Sequence, residues 1–475
     1  MPVPGGTVHE TTEFLRSGYV HKRPGPERRC HRRRGAGFPT HVKLNTDAEY
    51  VLLNGAECEP LLRVDQQLME THPEAVLEGL LLAKETVGAA HAIIGVKVSH
   101  PEVIETLRET ISRKQLPVTV GELPDVYPAG DEQVLVYELT GRIVPETGLP
   151  SAVGCVVINA ETAYNISAAA KSTPVTEKYV TVGGDVPHPF TLRVPVGTPV
   201  ELLFEAAGCD PETAHALATE DPGTDGSAVV NGGPMMGGLL KPGSNPADRY
   251  VTKKTKGLLV LPAEHPLVQK KSKPMAAAKR FNRSACEQCS MCTDLCPRHL
   301  LGHSTVPHKM VRAMAYDLPA DENVTAAQTC CQCNLCDYFS CPAGIHPRMA
   351  NLYYMTKLRE EGIKHTPKAE FTADPMRPCR QVPSGRLIAR LGLRKYNRPA
   401  PLTEELLSAG TVALSLQDHV GAPAIPSVSP GEAVKQGQCI ADVPEGSLGA
   451  PVHASIDGVV ERVTDTHIFV RAERR

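Results

Sequence analysis

Nine of the fifteen cysteines of this 475-residue chain lie between Cys286 and Cys341. Cys286, Cys289 and Cys292 follow one another at three-residue intervals, and Cys296 comes next, followed by Pro297. Three soft thiolates at that spacing wrap a tight loop around one [4Fe–4S] cubane, and the fourth sits further on, before a proline that turns the chain away. A second copy runs Cys330, Cys333, Cys336 and Cys341-Pro342, with one extra residue before its last cysteine. Structural zinc would instead present two separated CxxC pairs. Eight cysteines are therefore expected to hold two [4Fe–4S] clusters.

In two-cluster proteins of this kind the fourth cysteine of each motif ligates the other cluster. The expected sets are Cys286, Cys289, Cys292 and Cys341 for one, and Cys330, Cys333, Cys336 and Cys296 for the other. Cys331 breaks the spacing and reads as a bystander. Cys155, Cys209, Cys379 and Cys439 are isolated and read as packed or surface thiols. Two neighbouring clusters make a one-electron wire, and a wire needs terminals.

A second set of residues could supply one. Gly35-Ala36-Gly37-Phe38-Pro39-Thr40-His41-Val42-Lys43 joins a glycine turn to a lysine, a combination able to approach a phosphate closely. Taken alone, a structural turn explains it as well. Asn54-Gly55-Ala56-Glu57-Cys58-Glu59-Pro60 and Asn159-Ala160-Glu161-Thr162 each stand at the end of an apolar run that reads as a buried strand. Strand ends are where α/β sheets bind ligands.

The elements that must position these residues follow from patterning. Tyr50–Asn54, His91–Val98 and Val153–Asn159 read as strands, and His72–Lys84 and Glu161–Lys171 as helices, the alternation of an α/β domain. Between Lys178 and Met236, short strands surround one helix at Val200–Ala207, which suits a small α+β module. The Pro-, Lys- and Gly-rich stretch 241–277 and the Pro/Arg-rich stretch 363–404 read as linkers. Short glycine-separated strands after residue 405 suggest an all-β unit.

Composition narrows the function classes. A net charge of −3 gives no global field for nucleic acid, and no stretch approaches the roughly 20 apolar residues of a membrane span. Cysteine-rich motifs without a signal-peptide layout point to metal in a cytoplasmic protein rather than disulfides.

The motifs GAGFPTHVKL, NGAECEP and NAETA resemble the flavin-binding motifs of the NADH-binding subunit of respiratory complex I and of RnfC-like proteins. YVTVGGDV, RVPVGTPV and NGGPMMGG resemble the β-grasp (SLBB) module of those families. The tail from Asp418 to Val460 resembles the RnfC barrel-sandwich domain, here C-terminal rather than N-terminal. That order, with the longer spacing before Cys341, resembles the PduS-like cobalamin reductases of propanediol-utilising bacterial microcompartments.

The resemblance implies a multidomain α/β and α+β chain. An FMN/NADH-binding α/β domain would occupy 1–172, the SLBB module 176–240, a ferredoxin-like dicluster domain 278–362 and the barrel sandwich 405–475. It implies FMN on Gly35, Gly37, Lys43, Asn54, Glu57, Asn159 and Thr162, with Phe38 and Glu59 facing the NADH nicotinamide nucleotide. It further implies an NADH-dependent oxidoreductase that passes electrons to a corrinoid or corrinoid enzyme, cytoplasmic or inside a microcompartment with shell proteins as neighbours. The alternatives are a peripheral subunit of a membrane Rnf-type complex and a flavin-free iron–sulfur relay. No Asp-x-His-x-x-Gly corrinoid motif is present, and the tail's Glu445–Ala450 turn has no lysine to lipoylate. Lys271, Lys273, Lys279 and Arg280 either steer an acidic partner or line a solvated linker.

One departure stands out. The families carry Gly-x-Gly-Gly-Ala-Gly-Phe-Pro, whereas Arg32 and Arg34 occupy the first two glycine positions here. Arg29-Cys30-His31-Arg32-Arg33-Arg34 can be encoded CGG TGT CAT CGG CGC CGG, which one base later reads Gly-Val-Ile-Gly-Ala-Gly and restores the loop. An arginine-modified phosphate site or a loop that has lost the flavin is one reading; the favoured one is that roughly the first 34 residues are out of frame. Resequencing this stretch should return codons that yield the glycine loop in the +1 frame; any others end the idea.

Overall fold

The computed structural model describes residues 39–222, 226–319 and 322–473. The first unit is a parallel four-stranded sheet of β1 (Tyr50–Asn54), β2 (His91–Lys97), β3 (Thr119–Leu123) and β5 (Cys155–Asn159), in the order β3-β2-β1-β5. The apolar runs of β1 and β5 are buried on both faces, as parallel strands require. Helices α1 (Thr40–Leu44), α2 (Val64–Thr71), α3 (Pro73–Thr86), α4 (Pro101–Lys114), α5 (Glu132–Thr140) and α6 (Ala160–Ala170) accompany the sheet. α3 and α6 press together at Gly79, where a Cβ would stand 1.8 Å from the Ala163 carbonyl oxygen. Only glycine allows that approach.

Strand order reverses at β1. The chain builds outward to β2 and β3, then crosses back through a short β4 (Val126–Tyr127) and α5 to place β5 on the other flank. Asn54 and Asn159 end the two strands at the switch and are direct register partners.

The second unit departs from expectation. Its six-stranded sheet has the order β12-β7-β6-β10-β8-β9. β6 (Glu177–Gly184), β7 (Phe190–Pro195), β8 (Ser227–Asn231) and β9 (Gly238–Leu239) come from the expected module. β10 (Gly257–Pro262) and β12 (Leu402–Leu406) come from the two stretches read as linkers. β10 sits centrally between β6 and β8, its leucines buried. Proline and lysine mark only the flanks of that strand, and GLLVLP itself is an ordinary apolar run. The second stretch is a strap as well: β11 (Val382–Pro383) pairs with β4, and Arg377 bonds Glu138.

Cysteine loops then alternate with helices, of which α7 (Met275–Ala285), α8 (Pro307–Ala315) and α9 (Pro347–Glu360) form the core around Met310, Met314 and Tyr354. The C-terminal unit is two antiparallel sheets, one joining β13 (Thr411–Ser415) to Gly458–Val463, His467–Ala472 and Ala433–Val434. None of the described helices is long and apolar enough to cross a membrane.

Candidate functional site: a flavin-domain switch point joined to two cysteine cages

The two cysteine loops are conformational copies. Gln288 and Ser290 adopt left-handed φ values of 51° and 62°, and Gln332 and Asn334, at the same places in the second loop, adopt 57° and 64°. Left-handed residues two and four places after the first cysteine curl each loop around its own centre. In the first copy a single α-turn, Met291–Asp294, leads to Cys296. In the second, Cys336–Ser340 forms a π-turn, which takes up the extra residue before Cys341.

Two groups of thiols result. Burial, together with the nearness of Cys341, Cys286 and Cys289, pushes the Cys292 thiol up to about 12. Burial, with Cys331 and Cys296 beside it, raises Cys330. Cys336 is likewise raised by burial and by Asp337, Cys330, Cys292 and Cys296. Cys341 thus stands with the first triplet and Cys296 with the second. Cys331 lies in the second group, against Cys330, Cys333 and Cys296. Thiols this costly to ionise need a strong positive centre, and iron provides it. Each group supplies the four thiols that a [4Fe–4S] cubane takes, so the residues present fit that group.

The Cys330–Cys336 loop is bonded to the flavin-side domain. Tyr127 donates its hydroxyl to the Cys333 carbonyl at 2.7 Å. Buried Arg298, two residues after Cys296, holds Asp131 at 2.9 Å while Asp131 caps the N-terminus of α5. Asn334 donates to the Met235 carbonyl at 2.6 Å, and the amides of Met235 and Met236 donate to Glu59 at 2.9 and 2.7 Å. Glu59 therefore lies with both oxygens engaged by the NGGPMMGG loop. Burial raises its pKa against those amides. Gly233 is obligatory there, since a Cβ would stand 2.1 Å from Glu59 Oε2.

At the switch point, Asn54 donates to the Gly130 carbonyl at 2.8 Å. Asn159 accepts from the Glu161 amide at 3.0 Å, capping α6, and donates to Asp65 at 2.8 Å. Glu57 accepts from the Gln66 amide at 3.1 Å, but its other oxygen is buried without a hydrogen-bond partner. Burial, then the Asp65 charge, raise Glu57 to about 7. Lys256 reaches in from the second unit to bond Asp65, with Glu57 at 3.7 Å, and Lys178 bonds Glu161. Lys43 on α1 pairs with Glu132 at 2.8 Å, and Thr162 lies half-buried in the first turn of α6. Burial pushes the Cys58 thiol up to about 11, so it is a neutral acceptor of the Gly130 amide rather than a reactive thiolate. Gly35, Gly37, Phe38 and the segment read as out of frame lie outside the described residues.

The orphaned Glu57 oxygen is the buried acceptor that a flavin N–H or ribityl hydroxyl would satisfy, so the residues fit FMN at this strand end. Motif reading missed Tyr127, Asp131, Arg298, Asp65 and Lys256. Only Asp131 carried a local signal, an aspartate placed as the N-cap of an apolar helix.

Three family models match: the Nuo51 FMN-binding domain over residues 31–168, the 4Fe-4S dicluster domain over 285–346, and the RnfC barrel sandwich hybrid domain over 394–474. Cobalamin reductase PduS of Salmonella typhimurium is 43% identical over 438 residues, 92% of this chain and 93% of that protein. Its namesake from Citrobacter freundii is 42% identical over 92% and 93%. One component of the Na(+)-translocating ferredoxin:NAD(+) oxidoreductase complex of Acetobacterium woodii is 35% identical, over 56% of this chain and 55% of its own. The chain belongs to the PduS cobalamin reductase family.

Proposed function

We propose that this chain is an NADH-dependent cobalamin reductase that moves electrons through FMN and two [4Fe–4S] clusters to a corrinoid, bound to a partner enzyme or free. The observation that carries the reading is the Tyr127–Cys333 bond, which puts one cysteine cage directly against the domain whose switch point fits FMN. FMN supplies the exchange between two-electron and one-electron chemistry, and the clusters supply the one-electron path. The chain's own residues do the positioning. Asn54 and Asn159 fix the strand ends, Glu57 offers a buried acceptor, and Lys256 neutralises the carboxylates behind it.

The six-stranded unit is assigned as the SLBB module, and Glu59, bound to its NGGPMMGG loop, as the contact through which nicotinamide occupancy is felt at the cage. Residence inside a microcompartment belongs to the same proposal, from the likeness to reductases of that kind. The match to the Acetobacterium protein spans only about half of each chain and gives an Rnf-type role less support.

Asn54→Ala and Lys43→Ala should lower bound FMN at least several-fold while iron and sulfide stay within error, because the cages are built from other segments. NADH oxidation by an artificial acceptor should fall in parallel with the flavin. Full flavin content in both variants would move the site elsewhere.

A further inference from the structure

We infer that the two cages have unequal roles: electrons enter at Cys330–Cys333–Cys336–Cys296 and leave at Cys286–Cys289–Cys292–Cys341, onto an acidic redox protein docked over the latter. The inference deepens the proposed function and rests on both cages holding clusters. The entering side follows from the bonds already described, which tie Cys333, Asn334 and Arg298 to the flavin-side domain. The leaving side is the opposite case. Cys289 is exposed and Cys286 is half-exposed.

Around them stands a surface of mixed character. Phe281, Met291, Tyr316 and Leu318 are 45%, 43%, 60% and 43% exposed. They lie on α7, on the Met291–Asp294 turn and at the end of α8, and α8 packs against both of the others. Lys309, Arg312 and Tyr316 follow i, i+3, i+7 spacing, so they share one face of α8. Arg280 and Arg283 are exposed on α7, and Lys273 sits over the Phe281 ring at 4.6 Å. Lys279 is paired with Asp317, and among the described residues Glu287 and the part-exposed Asp294 are the other carboxylates of this surface. Among the described residues of this face cations outnumber carboxylates, on a chain whose net charge is −3. Lys271 is not part of this face, because it bonds the Met235 and Gly237 carbonyls.

Apolar residues ringed by cations beside a half-exposed redox centre suit an acidic protein surface. A corrinoid-sized molecule would look for a concave pocket, whereas these residues stand on outward helix faces. Each transfer moves one electron out of the cage for one gained by the acceptor, with no bond made or broken.

The test uses the full chain with its clusters reduced by dithionite, so that a wrong assignment of NADH as donor leaves the outcome unaffected. Two haem proteins serve as probes, acidic cytochrome b5 and basic cytochrome c, in stopped-flow at low and high salt. Cytochrome b5 should oxidise the clusters about tenfold faster than cytochrome c at low salt, and the advantage should fade as salt screens it. The exposed Arg280→Glu, Arg283→Glu, Arg312→Glu triple variant should invert that preference with iron content unchanged. Salt-independent rates, or a preference that the triple variant leaves intact, overturn the inference. Salt-sensitive self-association in ultracentrifugation, abolished by the same variant, would give the face to a second copy and overturn it too.

Discussion

Changing Cys341 to alanine is expected to remove the cluster held by Cys286, Cys289 and Cys292, although Cys341 follows the other triplet in sequence. Iron should fall from about eight atoms per chain to about four, and Cys296→Ala should cause the same loss at the other cage. The reasoning is spatial. Cys341, Cys286 and Cys289 are the thiols that raise Cys292, and Cys330 responds to Cys296, while Cys336 feels Cys330 together with both Cys292 and Cys296. The π-turn Cys336–Ser340 swings the chain across from one cage to the other, held by Lys270 on the Asp337 carbonyl and by the Arg348 amide on the Asp337 carboxylate at 2.6 Å. Electron paramagnetic resonance of the two variants should show complementary spectra. Loss of the Cys330–Cys333–Cys336 centre in Cys341→Ala, with the other intact, would refute the crossed arrangement.

Lys256→Met should destabilise the junction between the flavin-side sheet and the six-stranded sheet by roughly 3 kcal/mol, the scale for breaking one partner out of a buried ion pair. Lys256 is about three-quarters buried, while the carboxylate side chains of Asp65 and Glu57 are 3% and 1% exposed. Burial opposes the lysine's charge, but Asp65 and Glu57 outweigh it and raise its pKa. Without that cation two carboxylates remain in the same pocket. A lower denaturant midpoint for the first unfolding transition is the readout, and Asp65→Asn added to Lys256→Met should recover part of the loss. Acid should help as well. Glu57 has a folded pKa of about 7 against an ordinary 4.5, so its contribution is present at low pH and is lost as pH rises through that window. The variant should therefore be least stable above pH 7.

Legibility in sequence followed the range of the physics. Cluster coordination works over a few residues, so the cysteine triplets could be read directly, and so could β1 and β5, whose apolar runs carry Asn54 and Asn159 to one edge. The extra residue before Cys341 was visible as a number, but its conformation, a π-turn, was not. The Tyr127–Cys333 bond and the Lys256–Asp65 pair each join residues about 200 positions apart, and nothing local marks either partner. β10 and β12 were hidden for another reason. Each is a short strand beside sequence rich in proline and in lysine or arginine, and composition averaged over thirty or forty residues erased them.

The parallel pairing of β12 with β7 bears on how the chain is made. β7 ends at Pro195 and its edge partner begins at Leu402, with the whole dicluster segment synthesised in between. At about 5–20 residues per second the ribosome needs roughly 10 to 40 s to cover that gap. Through that interval the nascent sheet carries an unpaired edge along Phe190–Pro195, and β4 likewise awaits Val382 and Pro383. The exposed edge is a template for misplaced strand pairing until synthesis catches up. A cell that slows elongation over the cysteine loops lengthens the same window.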